Sequence, residues 1–153
     1  MQPSSNMQTP EAGSALKGLE LLVGEWRMVG THPAFATKVN GHSSFEWLQQ
    51  GALLIWRFGW ERPGPPSAIS VIGHDDAAKG LSMLYSDERG VGRIYEMSLE
   101  NRVWTMRRES QGFSQRMTGT FSEDGNSITV YGELTRDGSN WEPDLDVTYT
   151  RER

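Results

Sequence analysis

Arg93 and Tyr95 stand two residues apart in the run Gly92-Arg93-Ile94-Tyr95-Glu96. On an extended strand, residues spaced by two project from one face. A guanidinium and a phenol so placed can grip a single anion, one by charge-assisted hydrogen bonds and the other as a neutral donor. Arg108 and Gln115 fall at same-face positions in the next two alternating runs. The set would serve a carboxylate, an enolate or a phenolate. Trp56 and Trp104 could stack on a flat ligand, and Met97 and Met106 would supply an adaptable wall, with Tyr149 as a further phenol. In an enzyme, Tyr95 or Tyr85 would act as general acid, His42 or Asp87 as base, and the arginines as anion stabilisers. Each residue also has a structural alternative. Aromatics and methionines fill cores, and an Arg–Tyr–Asp network including Asp87 could close one end of a fold.

Other chemistries lack their residues. The 153-residue chain has no cysteine, which excludes disulfides, a thiolate nucleophile and Cys-ligated metals. His32, His42 and His74 form no HxH or HxxxH pair, so no metal site is expected, and no cofactor either. Of the three, His42 is the one expected to reach an interior. Asp75-Asp76 and Glu123-Asp124 read as turn residues, and Asp144 and Asp146 as outward-facing. No nucleophile elbow or phosphate-binding loop is present. A net charge of -5 argues against a nucleic-acid partner. No apolar run approaches the roughly 18 residues of a membrane span. Met1–Ala12 has neither a basic segment nor an apolar one, so residues 1–13 read as a disordered tail before a single domain over 14–153. The composition fits a cytoplasmic protein.

The elements that would carry these residues are short. Leu16, Leu19, Leu22 and Val23 repeat at helical spacing and Gly24 ends the run, which predicts one N-terminal helix of two to three turns from Ser14. Ten strands are predicted over Glu25–Thr31, Gly41–Leu48, Ala52–Glu61, Ser67–Gly73, Leu81–Ser86, Gly92–Leu99, Val103–Glu109, Phe113–Phe121, Ser127–Leu134 and Asp144–Arg151. The connections between them are short and polar, and several hold a glycine suited to positive φ, as in Glu123-Asp124-Gly125-Asn126. Such loops make sequential strands antiparallel neighbours. Ten meandering strands without covering helices leave two bare edges unless the sheet closes. An up-and-down barrel removes both, with the helix over one end. Its inward faces would carry Leu54, Trp56, Phe58 and Trp60, then Leu81, Met83 and Tyr85, Arg93, Tyr95 and Met97, Trp104, Met106 and Arg108, Gln115 and Met117, and Val147 and Tyr149. Arginines inside a barrel must be paired or wet, so the lumen is either a hydrated cavity with a polar end or a stapled network.

The opening Leu21-Leu22-x-Gly24-Glu25-Trp26 resembles the calycin superfamily, which includes lipocalins, fatty-acid-binding proteins and nitrobindin. A mostly bacterial set of lipocalin-like barrels of this length is similar in Leu53-Leu54-Ile55-Trp56-Arg57, Ile72-Gly73-His74-Asp75 and Tyr85-Ser86-Asp87-Glu88-Arg89-Gly90-Val91. The likeness continues in Arg93-Ile94-Tyr95-Glu96-Met97-Ser98, Phe113-Ser114-Gln115-Arg116 and Asp144-Leu145-Asp146-Val147-Thr148-Tyr149-Thr150-Arg151. It runs from Leu16 to Arg151 and implies an all-β, ten-stranded calycin-like barrel. The members of that set mostly lack an assigned activity, so function rests on the residues. Nitrobindin-like barrels ligate haem through a histidine near the C-terminus, and no histidine follows His74 here. Fatty-acid-binding proteins hold a carboxylate with Arg-x-Tyr on a late strand, whereas Arg93-x-Tyr95 lies on a middle one and Tyr149-x-Arg151 runs in the reverse order.

The leading expectation is binding of a small, largely apolar ligand, aromatic or acyl, in the lumen. It would be oriented by Arg93, Tyr95 and Arg108 and contacted by Trp56, Trp104, Gln115, Met97, Met106 and Tyr149. The alternatives are a cofactor-independent isomerase, cyclase or lyase using Tyr95, Tyr85, His42 and Asp87, and a solid-cored structural module. A homodimer is compatible with any of these.

Overall fold

The computed structural model describes residues 16–77 and 80–153; the expected tail over 1–13 and the first residues of the expected helix lie outside them. The strands are β1 (Gly24–Thr31), β2 (Val39–Leu48), β3 (Leu53–Trp60), β4 (Ala68–His74), β5 (Leu81–Asp87), β6 (Gly92–Glu100), β7 (Val103–Arg108), β8 (Ser114–Phe121), β9 (Ser127–Thr135), the two-residue β10 (Glu142–Pro143) and β11 (Asp146–Arg151). All pairings are antiparallel and follow chain order from β1 to β9, while β11 lies between β9 and β1. Because β9 pairs with β8 along Ser114↔Thr135 to Phe121↔Ile128 and with β11 along Val147↔Val130 to Thr150↔Ser127, the sheet closes into a ten-stranded barrel. β10 only extends the far end of β9. Expected and observed strand ends differ by one or two residues.

The N-terminal helix is shorter and tighter than expected. It is a 3-10 segment over Gly18–Leu22, without a side-chain cap at Lys17. Three residues per turn suit the sequence, because Leu16, Leu19 and Leu22 then share one stripe, and all three are buried. This stripe seals one barrel end. Trp26 stands behind it, its Nε1 donating to Leu22 O at 2.8 Å. Arg151 supports the same end from the last strand. Its guanidinium donates to Val23 O and Leu21 O, each at 2.7 Å, and to Gly125 O at 3.1 Å, while stacking 4.1 Å over Trp26. These bonds satisfy carbonyls that the end of a helix leaves without partners.

Above the seal, aromatic rings cross the lumen. Phe45 and Trp56 stack at 5.0 Å and 15°, Trp104 packs 5.3 Å from Trp56 and 5.9 Å from Tyr149, and Tyr149 meets Trp26 edge-on at 6.3 Å. Trp104 is fully buried. Two glycines make room for Trp60 near the other end: a Cβ on Gly30 would lie 2.9 Å from its Cη2, and one on Gly41 2.9 Å from its Cε3. The barrel is therefore solid in one half and ringed by side chains in the other. Replacing Trp104 by alanine removes the centre of the plug, and a loss of about 3–5 kcal/mol is expected, measured as a lower urea midpoint at unchanged m-value.

Candidate functional site

The half of the barrel above the plug holds a cavity of about 350 Å³. That lies in the range of about 300–1,000 Å³ common to small-molecule sites. Its two sides differ. Trp56, Phe58 and Trp60 of β3, Tyr85 of β5 and Tyr95 of β6 make one wall mostly aromatic, with Met83 among them, while Met28, Met117, Val130, Leu134 and Val147 make the other mostly aliphatic, with Tyr149 among them. The alternation of β3, β5, β6 and β8 produces both, because every second residue turns inward. At the mouth, Pro65 and Pro66 of the β3–β4 loop, Arg89, Arg93, Phe113, Arg136, His32 and Asp144 complete the rim.

The rim carries a continuous polar chain. Tyr95 donates its hydroxyl to Gln115 Oε1 at 2.6 Å, and Gln115 Nε2 donates to Asp144 Oδ2 at 2.9 Å. His32 Nε2 lies 3.3 Å from Asp144 Oδ1. Its Nδ1 accepts the Ala34 N–H at 3.0 Å, so in the neutral ring Nε2 carries the proton. Arg93 Nη1 lies 3.5 Å from Gln115 Oε1, and its guanidinium sits 4.9 Å over the Phe113 ring.

A second cluster lies beside it. Tyr85 donates to Asp87 Oδ2 at 2.6 Å, and Arg89 Nη2 reaches the same oxygen at 2.7 Å. The backbone N–H groups of Arg89 and Val91 also point at Asp87 Oδ1. The Arg89 bonds hold the Asp87 carboxyl well below the usual carboxylate range, with Tyr85 and the two backbone donors adding to them. Burial, then the bond to Asp87, pushes the Tyr85 phenol far up. Burial also raises Tyr95 against the opposing pull of Arg93 and Arg108, and burial alone raises Tyr149. All three phenols are thus neutral donors near pH 7.

The four arginines of this end are not equivalent. Arg89 is spent on Asp87 and Arg136 on Glu142 at 2.9 Å. Among the described residues, neither Arg93 nor Arg108 has a carboxylate at salt-bridge distance, the remaining pairs involving other residues.

Several expected site residues converge here. Arg93, Tyr95, Gln115, Trp56, Met106, Tyr149 and Tyr85 all line the cavity. Arg108 does not line it. The β6–β7 ladder ends at Glu96↔Arg107, and beyond that point Arg108 borders an outer hollow together with Arg93 and Tyr95. Trp104 and Met97 lie deeper, in the packed half. Asp87 is buried in its own cluster rather than free in the lumen.

His42, expected to reach the interior, is on the outer wall. Val39, Ser43 and Phe45 are the buried positions of β2, so His42 falls on the opposite phase. There it lies 2.7 Å from Glu152 and 3.2 Å from Glu25. These three are the one group with metal-ligand spacing among the described residues, all exposed and away from the cavity.

Asp144, read as outward, instead turns into the mouth. β11 starts only at Asp146, because Asp144 N donates to Gly132 O at 3.0 Å and Asp146 Oδ1 accepts from Gly132 N at 3.1 Å. The ladder is interrupted and Asp144 escapes the strand alternation. Only glycine fits at 132, where a Cβ would lie 2.6 Å from Leu145 O. His32 and Asp144 were therefore hidden from pattern reading, since loop side chains follow no period, whereas Phe113 shares the phase of Gln115 and Met117 and lines the cavity with them.

No protein-family model matches the chain, and no curated protein matches it. Solved structures resemble it in fold. Rv2717c from M. tuberculosis superposes with a TM-score of 0.61 at 15% identity, over 91% of this chain and 98% of that one. The S-type phycobiliprotein lyase CPES from Guillardia theta superposes with a TM-score of 0.60 at 9% identity, over 98% of each chain. These likenesses are ones of fold, an all-β closed ten-stranded antiparallel barrel. No helix among the described residues is long and apolar enough to cross a membrane.

The shifted groups set the pH response. Asp87 has a lowered folded value, so its stabilisation is complete above the usual carboxylate range and is lost as pH falls through the depressed one. Asp87→Asn is expected to lower stability at pH 7 and to flatten the acid limb of a plot of urea midpoint against pH. Tyr85, Tyr95 and Tyr149 have raised values, so their contribution is lost as pH climbs past about 10. Tyrosinate absorbance from these three is expected to appear together with alkaline unfolding rather than before it.

Proposed function

We propose that this barrel binds one small, largely apolar ligand in its open half and orients it by an acidic group at Arg93, with Tyr95 beside it. The observation that carries the proposal is a pocket with largely apolar walls whose lining contains, among the described residues, one guanidinium without a carboxylate partner, next to a neutral phenol. Arg93 is half-buried at the mouth of the cavity. An anionic ligand could pair with its guanidinium there while its apolar part fills the volume below. Arg108, half-buried and paired with Gln115 across β7 and β8, would add attraction from nearby.

The enzyme alternative draws less support from the lumen. A phycobiliprotein lyase shares the fold, but the acid–base groups this chain offers are already engaged. Asp87 is neutralised by Arg89, His42 is outside, and both ring nitrogens of His32 have partners. The raised Tyr85 and Tyr95 phenols hold their protons too tightly to make efficient general acids near pH 7.

Anilinonaphthalene sulfonate, an apolar anion, tests the reading by fluorescence titration. One saturable site per chain is expected. Arg93→Ala should weaken it about tenfold, the scale of one charge-assisted hydrogen bond, and Tyr95→Phe should weaken it less. Non-saturable binding, or equal affinity in Arg93→Ala, would contradict the proposal.

A further inference from the structure

We infer that the ligand is a flat aromatic carboxylate rather than a flexible acyl chain; this rests on the reading of the cavity as a ligand site and names the ligand's class. The argument starts from the asymmetry of the walls. In barrel order β3 to β6 lie opposite β8, β9, β11 and β1. The first set presents rings in an unbroken arc: Trp56 to Phe58 at 5.0 Å, Phe58 to Tyr85 at 6.4 Å, and Tyr85 to Tyr95 at 6.0 Å. The second presents mostly methionine, valine and leucine, with Tyr149 of β11 among them, while Met83 of β5 lies among the rings of the first. The space between them is a slot with one stiff face and one adaptable face.

A slot suits a plate. Ring-on-ring contact adds about 0.5–1.5 kcal/mol beyond area burial, which an alkyl chain cannot gain. A rigid plate also loses few torsions on entry, whereas each ordered rotor of a chain is paid for on binding. Depth points the same way. The stack of Phe45, Trp56 and Trp104 crosses the lumen and blocks the lower half, so a long chain has no straight path along the barrel axis.

The arc ends where the charge is. Tyr95 is its last ring, and Arg93 stands two residues before it on the same strand. Arg93 keeps donors in hand, since its polar contacts among the described residues are the long 3.5 Å approach to Gln115 and its approach to the neighbouring Tyr95 phenol, neither of them a carboxylate. Phe113 lies under its guanidinium, 4.9 Å from ring centroid to Cζ. A planar guanidinium with free parallel donors matches a planar carboxylate in bidentate fashion. The other cations lining the cavity, Arg89 and Arg136, already hold Asp87 and Glu142, so the charge on offer inside the lumen suits a single anionic group.

Isothermal titration calorimetry of the full chain tests this with three probes: naphthoate, undecanoate and neutral naphthamide. The two acids have equal carbon counts and differ in shape; the amide keeps the plate and drops the charge. Naphthoate is expected to bind at least about tenfold tighter than undecanoate. Arg93→Gln should reduce naphthoate affinity about tenfold and leave naphthamide affinity within about twofold, which also demonstrates that the variant keeps its cavity. If undecanoate binds as tightly as naphthoate, the class is wrong and the cavity reading survives. If naphthoate and naphthamide bind alike, the carboxylate assignment is wrong. If none of the three binds, the reading of the cavity as a ligand site fails with it.

Discussion

The structure depends on β9 serving two partners. Its one edge pairs with β8 and its other with β11, and through β11 the ring reaches β1. Without that double pairing, the sheet would expose rows of unpaired backbone donors and acceptors. With it, every second residue of ten strands is forced into a shared interior. The interior then has to be filled or wetted. The composition decides which: tryptophan and phenylalanine fill the end near the N-terminal 3-10 segment, and arginine, tyrosine and glutamine hold the other end open.

The two halves are coupled through shared residues. Trp56 belongs both to the plug, where it stacks on Phe45, and to the cavity floor. Its Nε1 donates to Ser43 Oγ at 3.1 Å, and Ser43 in turn lies 3.0 Å from Met28 Sδ. Met28 lines the cavity from β1, two strands from Trp56. The floor is thus a packed and hydrogen-bonded layer, and the binding slot inherits its rigidity from the core beneath it. At the mouth, the Tyr95–Gln115–Asp144–His32 chain links β6, β8, the approach to β11 and the β1–β2 loop. It holds the rim without using Arg93's charge.

Strand order and inward faces were legible because two local signals agree. Turns such as Glu123-Asp124-Gly125-Asn126 mark the boundaries, and Gly125 does adopt a φ of 76°. Between the turns, alternations such as Leu54, Trp56, Phe58 and Trp60 fix the phase. That is how Arg93, Tyr95 and Gln115 could be brought together before any coordinates. The phase of β2 was also available, in Phe45-Glu46-Trp47, and it would have put His42 outside. Asp144 and His32 were not available, because a ladder interruption at Gly132 and a loop tip obey no period. Nor could the partnering of the arginines be read. Whether a guanidinium is free depends on rotamers and on distant carboxylates, as with Arg136 and Glu142.

Arg93 follows the barrel's geometric demand that residue 93 share a face with Tyr95. Its freedom follows from the absence of a carboxylate partner for it among the described residues, while Arg89 and Arg136 each have one. A crystal structure of the protein soaked with naphthoate tests this directly. The account predicts the ring between Phe58 and Met117, with both carboxylate oxygens within hydrogen-bond distance of the Arg93 guanidinium. A lumen closed by its own side chains, or a naphthoate whose carboxylate points away from Arg93, would contradict it.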